Sequence, residues 1–224
     1  MNNHILVFIK YPQKGLVKSR LAADMDETAV IELYRCFVLD TLDALKNVNA
    51  RIWICYWPRD FKTKFINWLG TGYGYIPQNG KDLGERLKYC FRKVFQHGAR
   101  GALVIGSDSP DITEDIIRSA FSYLENHDAV IGPTFDGGYY LLGFRQKTFL
   151  PEVFEDILWS TPKVFSKTIQ IISNHNKKYF VLEKRHDVDT IEDVNQFIAG
   201  NNFGEFSRSR SMQYLKGINS KIGN

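Results

Sequence analysis

The sequence predicts an α/β fold built around a largely parallel sheet. Through the first half of the chain, apolar runs of strand length alternate with stretches whose apolar residues recur at helical spacing. The apolar run 102–105 stops abruptly at Gly106-Ser107-Asp108, which is typical of a buried strand that ends at the carboxyl edge of a sheet. The Asp136-Gly137-Gly138 turn between two later apolar runs indicates one antiparallel pair.

The strands are predicted from continuous apolar, β-branched and aromatic runs. The first run, Ile5-Leu-Val-Phe-Ile9, has no polar residue and is therefore expected to be buried on both faces. Further strands are predicted at residues 51–57, 73–76, 102–105, 129–131, 139–144 and 179–182.

The helices are predicted from apolar spacing and from residues that favour helix starts. Thr113 is expected to cap a helix, Thr161-Pro162 to supply a cap and a first helical position, and Thr190 with Asp193 to form a capping box. The predicted helices cover residues 27–45, 61–69, 82–96, 114–125, 161–173 and 191–199.

Length and composition restrict the class of protein. The chain has 224 residues, 44% of them apolar, which suits one large domain at residues 1–200 followed by a polar tail, 201–224, that is mobile or packed on a partner. A net charge of +4 without a basic block argues against a nucleic-acid partner. Three scattered cysteines and no apolar stretch of targeting or membrane-spanning length suggest a cytoplasmic protein without a membrane span, and a homodimer is possible.

The loop after the first strand concentrates candidate phosphate ligands. Gly15 allows backbone N–H groups to turn toward an anion, while Lys10, Lys14, Lys18 and Arg20 supply positive charge at the carboxyl edge of the sheet. The loop has neither a Walker motif nor a dinucleotide-binding glycine pattern. The alternative is an ordinary solvated basic loop.

A second segment, residues 78–86, follows the third predicted strand. The amide of Gln78 has the chemistry to read a nucleobase edge, and we include Gly84 and Arg86 as further candidate nucleotide contacts. The alternative is turn-and-cap chemistry, because Asn79-Gly80 is a strong turn signal and Asp82 can cap the helix that follows.

Four acids are candidates for metal binding or proton transfer. Asp108, at a strand end, suits a divalent cation that bridges diphosphate oxygens, Mg²⁺ or Mn²⁺. Asp187 and Asp189 point the same way in an extended segment, and one of them is expected to complete the site, unless both merely favour a helix N-terminus. Asp136 has the chemistry of a general base for an acceptor hydroxyl.

The acceptor is expected on the side of the Asp136 turn. Gly137 and Gly138 let another molecule approach the backbone, Tyr139 follows them, and Trp159 can wall a pocket. The alternatives are a type I′ hairpin turn for the glycines and a core anchor for Trp159.

Six motifs occur in an order that resembles a known family. They are Lys-x-Pro-x-x-Gly-x-Val-Lys-Ser-Arg-Leu from Lys10, Asp-Leu-Gly-Glu-Arg from Asp82, Gly-Ser-Asp-x-Pro from Gly106, Gly-Pro-x-x-Asp-Gly-Gly-Tyr-Tyr-Leu-Leu-Gly from Gly132, Trp-Ser-Thr from Trp159, and Asp-Val-Asp-Thr-x-Glu-Asp from Asp187. The chain is thus similar, from the first strand to about residue 198, to small glycosyltransferase-like proteins of the GT-A fold, relatives of phospholactate guanylyltransferases and molybdopterin nucleotidyltransferases.

The resemblance implies a nucleotide-diphospho-sugar transferase fold, a single domain with a mixed, mostly parallel sheet and helices on both faces. It implies nucleotide phosphates on Gly15, Lys18 and Arg20, and a metal on Asp108 with Asp189 as the second ligand and Asp187 as the runner-up. Lys18, Asp108 and Asp136 are then the candidate catalytic residues.

Three functions are compatible with these residues. The first, which the family resemblance favours, is a metal-dependent glycosyltransferase that uses a nucleotide sugar and a small-molecule acceptor, in which the metal and the basic loop neutralise a diphosphate leaving group. The second is a nucleotidyltransferase, similar to guanylyltransferases, that uses a nucleoside triphosphate and releases pyrophosphate. The third is a nucleotide-binding module without catalysis.

Overall fold

One mixed sheet with helices on both faces forms the centre of the molecule. The computed structural model describes residues 2–222 of the chain. Within that range, seven strands pair in the order β3-β2-β1-β4-β6-β5-β7. They are β1 (Asn3–Lys10), β2 (Arg51–Trp57), β3 (Gly74–Pro77), β4 (Gly101–Ile105), β5 (Ala129–Pro133), β6 (Tyr139–Arg145) and β7 (Tyr179–Val181).

The helices of the described residues are close to the predicted ones, with one addition near the C-terminus. They are α1 (Glu27–Ala44), α2 (Lys62–Leu69), α3 (Leu83–Gln96), α4 (Glu114–Asn126), α5 (Val164–Asn174), α6 (Ile191–Asn201) and α7 (Arg210–Ile222). The cap at Thr113 and the capping box of Thr190 with Asp193 are confirmed. No helix among the described residues is long and apolar enough to cross a membrane.

The direction of the strands determines which segments meet at each edge of the sheet. β1 is parallel to both of its neighbours, β2 and β4. The next strand in the chain, β2, pairs with one side of β1, and β4 later pairs with the other side, so the strand order reverses at β1. This strand-order reversal is where open α/β sheets bind ligands. β6 is antiparallel to β4 and β5, which confirms the predicted antiparallel pair and brings the turn before Tyr139 to the same carboxyl edge.

Two apolar layers bury the faces of the sheet. Helices α1, α2 and α4 cover one face, where Ile5, Val7 and Leu103 lie in a shared core. Helices α3 and α5 cover the other face, around Leu6 and Val104. The alternation of β1 residues between these cores follows from the two-residue period of a strand. The predicted fold class is therefore confirmed.

The predicted start of the fifth helix is wrong. Thr161 was expected to cap it, but α5 begins at Val164 after Lys163, and the Thr161 hydroxyl donates instead to the Leu158 carbonyl at 2.7 Å. Pro162 packs against the Asp136 turn, where a Cβ on Gly137 would lie 2.2 Å from the Pro162 carbonyl oxygen. That contact holds residues 161–163 outside the helix.

The sequence predicts a tail after residue 200 that is mobile or packed on a partner, whereas in the structure α7 packs on α1 of the same chain. Met212 and Leu215 of α7 are fully buried against α1, in a third core that also contains Phe37 and Phe197. The structure has no separation between domain and tail at residue 200. Met1 and residues 223–224, which belong to the predicted domain and tail, lie outside the described residues.

A buried carboxylate fastens α7 to α1. Asp40 accepts hydrogen bonds from the backbone N–H groups of Arg210 (3.1 Å) and Ser211 (2.8 Å), and from the Ser211 hydroxyl. The first N–H groups of a helix have no partner within that helix, so a carboxylate from α1 here acts as the cap of α7.

We therefore expect Asp40→Ala to lower the free energy of unfolding by about 2–4 kcal/mol, because it leaves buried donors without an acceptor. Asp43→Ala is the matched control. It removes the exposed partner of Arg210 and Lys46 on the same helix, and its expected cost is below about 1 kcal/mol. Urea unfolding of the two variants measures both effects, and equal losses would contradict a capping role for Asp40.

Candidate functional site

A cavity of about 600 Å³ opens at the carboxyl edge of the sheet, beside the strand-order reversal. Lys10 from β1, Gly106 after β4 and Tyr139 from β6 form its floor. Further lining residues come from the loop after β1, from α1 and α3, and from the segment before α6: Val17, Lys18, Ser19, Arg20, Tyr34, Leu83, Arg86, Leu87 and Asp189.

Lys18 lies at the centre of a buried ionic cluster in this cavity. Its side chain is 2% exposed, and its ammonium forms salt bridges to Asp108 and, at 3.0 Å, to Asp189. Arg20 pairs with the other oxygen of Asp189. Burial alone would lower the pKa of Lys18, but the carboxylates of Asp108 and Asp189 outweigh it and raise that pKa above its ordinary value. The ammonium therefore stays charged.

Asp189 and Asp187 differ sharply although they are two residues apart. Burial opposes ionisation of Asp189, but Lys18 and Arg20 hold its pKa below the ordinary value. Asp187 forms no salt bridge among the described residues, and its carboxylate accepts a hydrogen bond from the Ser109 hydroxyl. Burial and, second, the charge of Asp108 raise the pKa of Asp187 to about 7.

The oxygen donors near Asp108 fit a hard divalent cation. The Val188 N–H donates to the Asp108 carbonyl at 2.8 Å, which brings the neighbouring residue Asp187 close to Asp108. The two carboxylates are close enough to repel each other. Among the described residues, no group of three or more His, Cys, Asp or Glu side chains converges on one point. Two protein carboxylates completed by ligand phosphates and water are a usual environment for Mg²⁺.

Three further predicted residues line the cavity. Gln78 is buried, and its amide N–H₂ donates to the Cys55 carbonyl at 2.8 Å, which fixes the orientation of its amide oxygen. The Arg86 guanidinium lies 4.2 Å from the Trp57 ring and donates to the Gly80 carbonyl. Neither Lys10 nor Arg86 has a carboxylate partner among residues 2–222.

Tyr34 is a lining residue that the sequence did not single out. Its hydroxyl accepts from the Lys10 backbone N–H at 3.0 Å and from the Ser107 hydroxyl at 3.1 Å, so it links β1 to the end of β4. Burial raises the pKa of Tyr34 to about 12. In the sequence, Tyr34 falls on the apolar face of α1 and reads as a core residue, so no local pattern distinguishes it.

The Asp136 turn is a hairpin, although not of the predicted type. Gly137 has a φ of +92°, but neither Phe135 nor Asp136 has a positive φ, which a type I′ turn requires. One oxygen of Asp136 accepts from the Thr134 hydroxyl and from the Gly138 N–H at 3.0 Å. The side chain of Asp136 is thus held in place while the residue remains exposed.

Several predicted site residues lie outside the cavity lining. The Gly15 N–H donates to Glu27 at 3.2 Å. Gly84 faces the core, since a Cβ there would lie 2.3 Å from the Phe154 carbonyl oxygen and 2.9 Å from the Trp159 ring. Trp159 packs in that core, as its alternative interpretation held. Asp136, Gly137 and Gly138 form the turn next to the cavity rather than its wall.

Tyr139 differs from the other lining residues because its hydroxyl oxygen is buried without a hydrogen-bond partner among the described residues. Burial raises the pKa of this hydroxyl well above its ordinary value, so it remains a donor. Apolar residues of the same cavity lining include Phe8, Leu83 and Leu87. Buried polar groups are normally paired, so the Tyr139 hydroxyl is an exception among the lining residues.

Comparison with known proteins places this chain in a family. Residues 41–161, more than half of the chain, match the family described as "Uncharacterized protein conserved in bacteria (DUF2064)". The chain belongs to that family. A crystal structure from Desulfovibrio desulfuricans G20, provisionally described as a nucleotide-diphospho-sugar transferase, is 38% identical, with a TM-score of 0.95 over 100% of this chain and 98% of that one.

More distant relatives carry names of nucleotidyltransferases. The 2-phospho-L-lactate guanylyltransferase of Methanocaldococcus vulcanius is 25% identical over 147 residues, which is 64% of this chain and 60% of that protein. The aligned region thus spans less than two thirds of that relative. A cytidylyltransferase from Leptospira borgpetersenii, 15% identical over 100% of this chain and 96% of that one, has the same fold with a TM-score of 0.56. The resemblance inferred from the six motifs is confirmed.

The unpartnered hydroxyl of Tyr139 leads to a prediction about stability. Tyr139→Phe is expected to leave the free energy of unfolding unchanged or to raise it by up to about 1 kcal/mol, because no protein hydrogen bond is lost. Tyr140→Phe is the matched control. It removes a hydroxyl that donates to the Glu183 carbonyl at 3.2 Å and should cost about 1 kcal/mol. Chemical denaturation measures both, and a loss of more than about 1 kcal/mol for Tyr139→Phe would show that its hydroxyl is a structural group.

Proposed function

We propose that this protein is a metal-dependent nucleotidyltransferase that moves a nucleotidyl group from a nucleoside triphosphate to a small acceptor. The observation that carries the proposal is the meeting of Lys18 and Arg20 with Asp108 and Asp189 in the lining of the cavity. The names of the guanylyltransferase relatives support the proposal over sugar transfer, which the family resemblance favoured.

In this proposal the nucleoside triphosphate donor lies across the carboxyl end of β1 and the start of α3. Lys18, Arg20 and Lys10 bind the phosphates, because fixed cations at a site of developing negative charge stabilise a diphosphate leaving group. Gln78 presents its fixed amide oxygen to the base, and Arg86 adds a planar donor next to it. Gly15 and Gly84 act through backbone shape and packing, not by direct contact.

Mg²⁺ or Mn²⁺ is proposed to bind between Asp108 and Asp187. We prefer Asp187 to Asp189, because Lys18 and Arg20 already neutralise Asp189. When bound, the cation supplies Lewis-acid stabilisation of the phosphate oxygens. Asp189 then acts as the residue that orients Lys18 and Arg20.

The acceptor is proposed to enter from the Asp136 turn. Its oxygen attacks the α-phosphorus, the bond to the bridging oxygen of the β-phosphate breaks, and pyrophosphate leaves. One Asp136 oxygen is engaged by Thr134 and Gly138, so the other is positioned to take a proton from an acceptor hydroxyl. Tyr139 lines the pocket beside the acceptor, Gly137 and Gly138 shape the turn, and Trp159 supports α3 behind the pocket.

Glycosyl transfer is the second candidate, favoured by the provisional description of the 38% identical structure. The two reactions differ in their products. A nucleotidyltransferase releases pyrophosphate from a triphosphate, whereas a glycosyltransferase releases a nucleoside diphosphate or monophosphate from a nucleotide sugar. Incubation with each donor class and a panel of phosphorylated and hydroxylated acceptors, with Mg²⁺ or Mn²⁺, tests both by product analysis. Nucleotide-sugar turnover without pyrophosphate release would overturn nucleotidyl transfer.

Asp108→Asn gives the sharper prediction. We expect nucleoside triphosphate with Mn²⁺ to raise the melting temperature of the unaltered protein, and this rise to disappear in the variant. Pyrophosphate release should fall by about 100-fold or more. Asp24→Asn, an exposed acid in the turn after the basic loop, is the control and should behave like the unaltered protein. A nucleotide-induced shift that needs no metal and survives Asp108→Asn would instead support a binding module without catalysis.

A further inference from the structure

Lys18 is held in the cluster by its backbone as well as by its charge. Its φ is +47°, a left-handed conformation that is uncommon for a residue other than glycine. The preceding residue, Val17, is buried in the core below the sheet edge, and the Lys18 carbonyl accepts from the Ala22 N–H at 2.9 Å. The chain thus fixes the point from which this side chain reaches Asp108 and Asp189.

The ammonium of Lys18 lies against Asp108, a carboxylate that the proposed divalent cation would also need. It contacts Asp108 and lies 3.0 Å from Asp189. A divalent ion that binds Asp108 would therefore lie next to a fixed positive charge in a poorly hydrated environment, where like charges repel strongly. Asp108 remains half exposed on its other side, so the obstacle to the ion is charge and not access.

Among residues 2–222, the ammonium of Lys18 pairs with no carboxylate other than Asp108 and Asp189. On its other side lies the ring of Phe37, 5.8 Å from the ammonium. Withdrawal from the carboxylates would leave a buried ammonium unpaired, which is costly. The oxygens of a phosphate chain in the cavity change this balance, because they accept the same hydrogen bonds and carry compensating charge.

We propose that Lys18 determines the form in which the metal binds: its ammonium excludes the free divalent cation and yields Asp108 only when nucleotide phosphates accept the ammonium in its place. This inference rests on the proposed function, because it takes the ligand to be a metal–nucleotide complex. It assigns to a phosphate-binding lysine a second role as an internal competitor of the metal.

The test measures Mn²⁺ binding in the absence of any nucleotide, by the loss of the free-ion signal in electron paramagnetic resonance. Lys18→Met removes the competing charge and should bind Mn²⁺ at least about 10-fold more tightly than the unaltered protein. Lys14→Met is the matched control from the same loop. Its ammonium is 82% exposed and pairs with Glu27 at 2.8 Å, so Mn²⁺ binding should not change.

Two additional variants protect the interpretation. Lys18→Gln also removes the charge but keeps a polar side chain. It replaces Lys18→Met in the test if circular dichroism shows that Lys18→Met is unfolded. Lys18→Met combined with Asp108→Asn should lose the gained affinity, because the metal ligand is removed. Equal Mn²⁺ affinities for the unaltered protein and a folded Lys18 variant would overturn the inference. Nucleotide transfer by the unaltered protein would still stand in that case, because this measurement contains no nucleotide.

Discussion

The ammonium of Lys18 between Asp108 and Asp189 is the interaction on which the site depends. It joins the loop after β1, the end of β4 and the segment before α6, which are far apart in the chain. A buried ammonium is stable only where carboxylates offset its lost hydration. The Lys18 loop can therefore keep this conformation only if the segments that carry Asp108 and Asp189 lie against it. The hydrogen bond from the Val188 N–H to the Asp108 carbonyl keeps two of them in register.

The sheet explains why these segments meet at one edge. Parallel strands all end at the same side, so the loops that follow β1 and β4 are neighbours because the strands are paired. The Asp136 turn reaches this edge for the opposite reason. It precedes β6, which runs antiparallel to β4, so the beginning of β6 lies beside the end of β4. One reversed strand thus brings a second set of residues, from Asp136 to Tyr139, toward a site otherwise built from strand ends.

Most of the fold could be predicted from the sequence because its signals are local. The apolar run of β1, the cap at Thr113 and the Thr190–Asp193 capping box each depend on residues a few positions apart. The errors arise where distant packing decides. Thr161 has the sequence of a cap, but contact of Pro162 with Gly137 delays the helix. The tail after residue 200 is polar on average, yet Asp40, 170 residues away, caps α7 against α1.

At the site, too, the sequence indicates which residue types are present but not which of them pair. Extended spacing places Asp187 and Asp189 on one side but cannot say which is neutralised, since the cations come from Lys18 and Arg20 about 170 residues earlier. Gly84 belongs to a recognisable motif, although its lack of a side chain serves the packing of Trp159 against α3. Residue type indicated which chemistry was present, whereas each partner depended on the three-dimensional arrangement.

The charges that line the cavity connect these contacts to ligand binding. Asp189 is shared by Lys18 and Arg20, and Asp108 by Lys18, so the two lining acids are already engaged by two of the lining cations. Lys10 and Arg86, also in the lining, lack a carboxylate partner among the described residues, which leaves a surplus of positive charge. A polyphosphate partly neutralised by a divalent cation carries the compensating negative charge. Free metal would add to the positive surplus instead, so the balance of charge favours the complex over either separate ion.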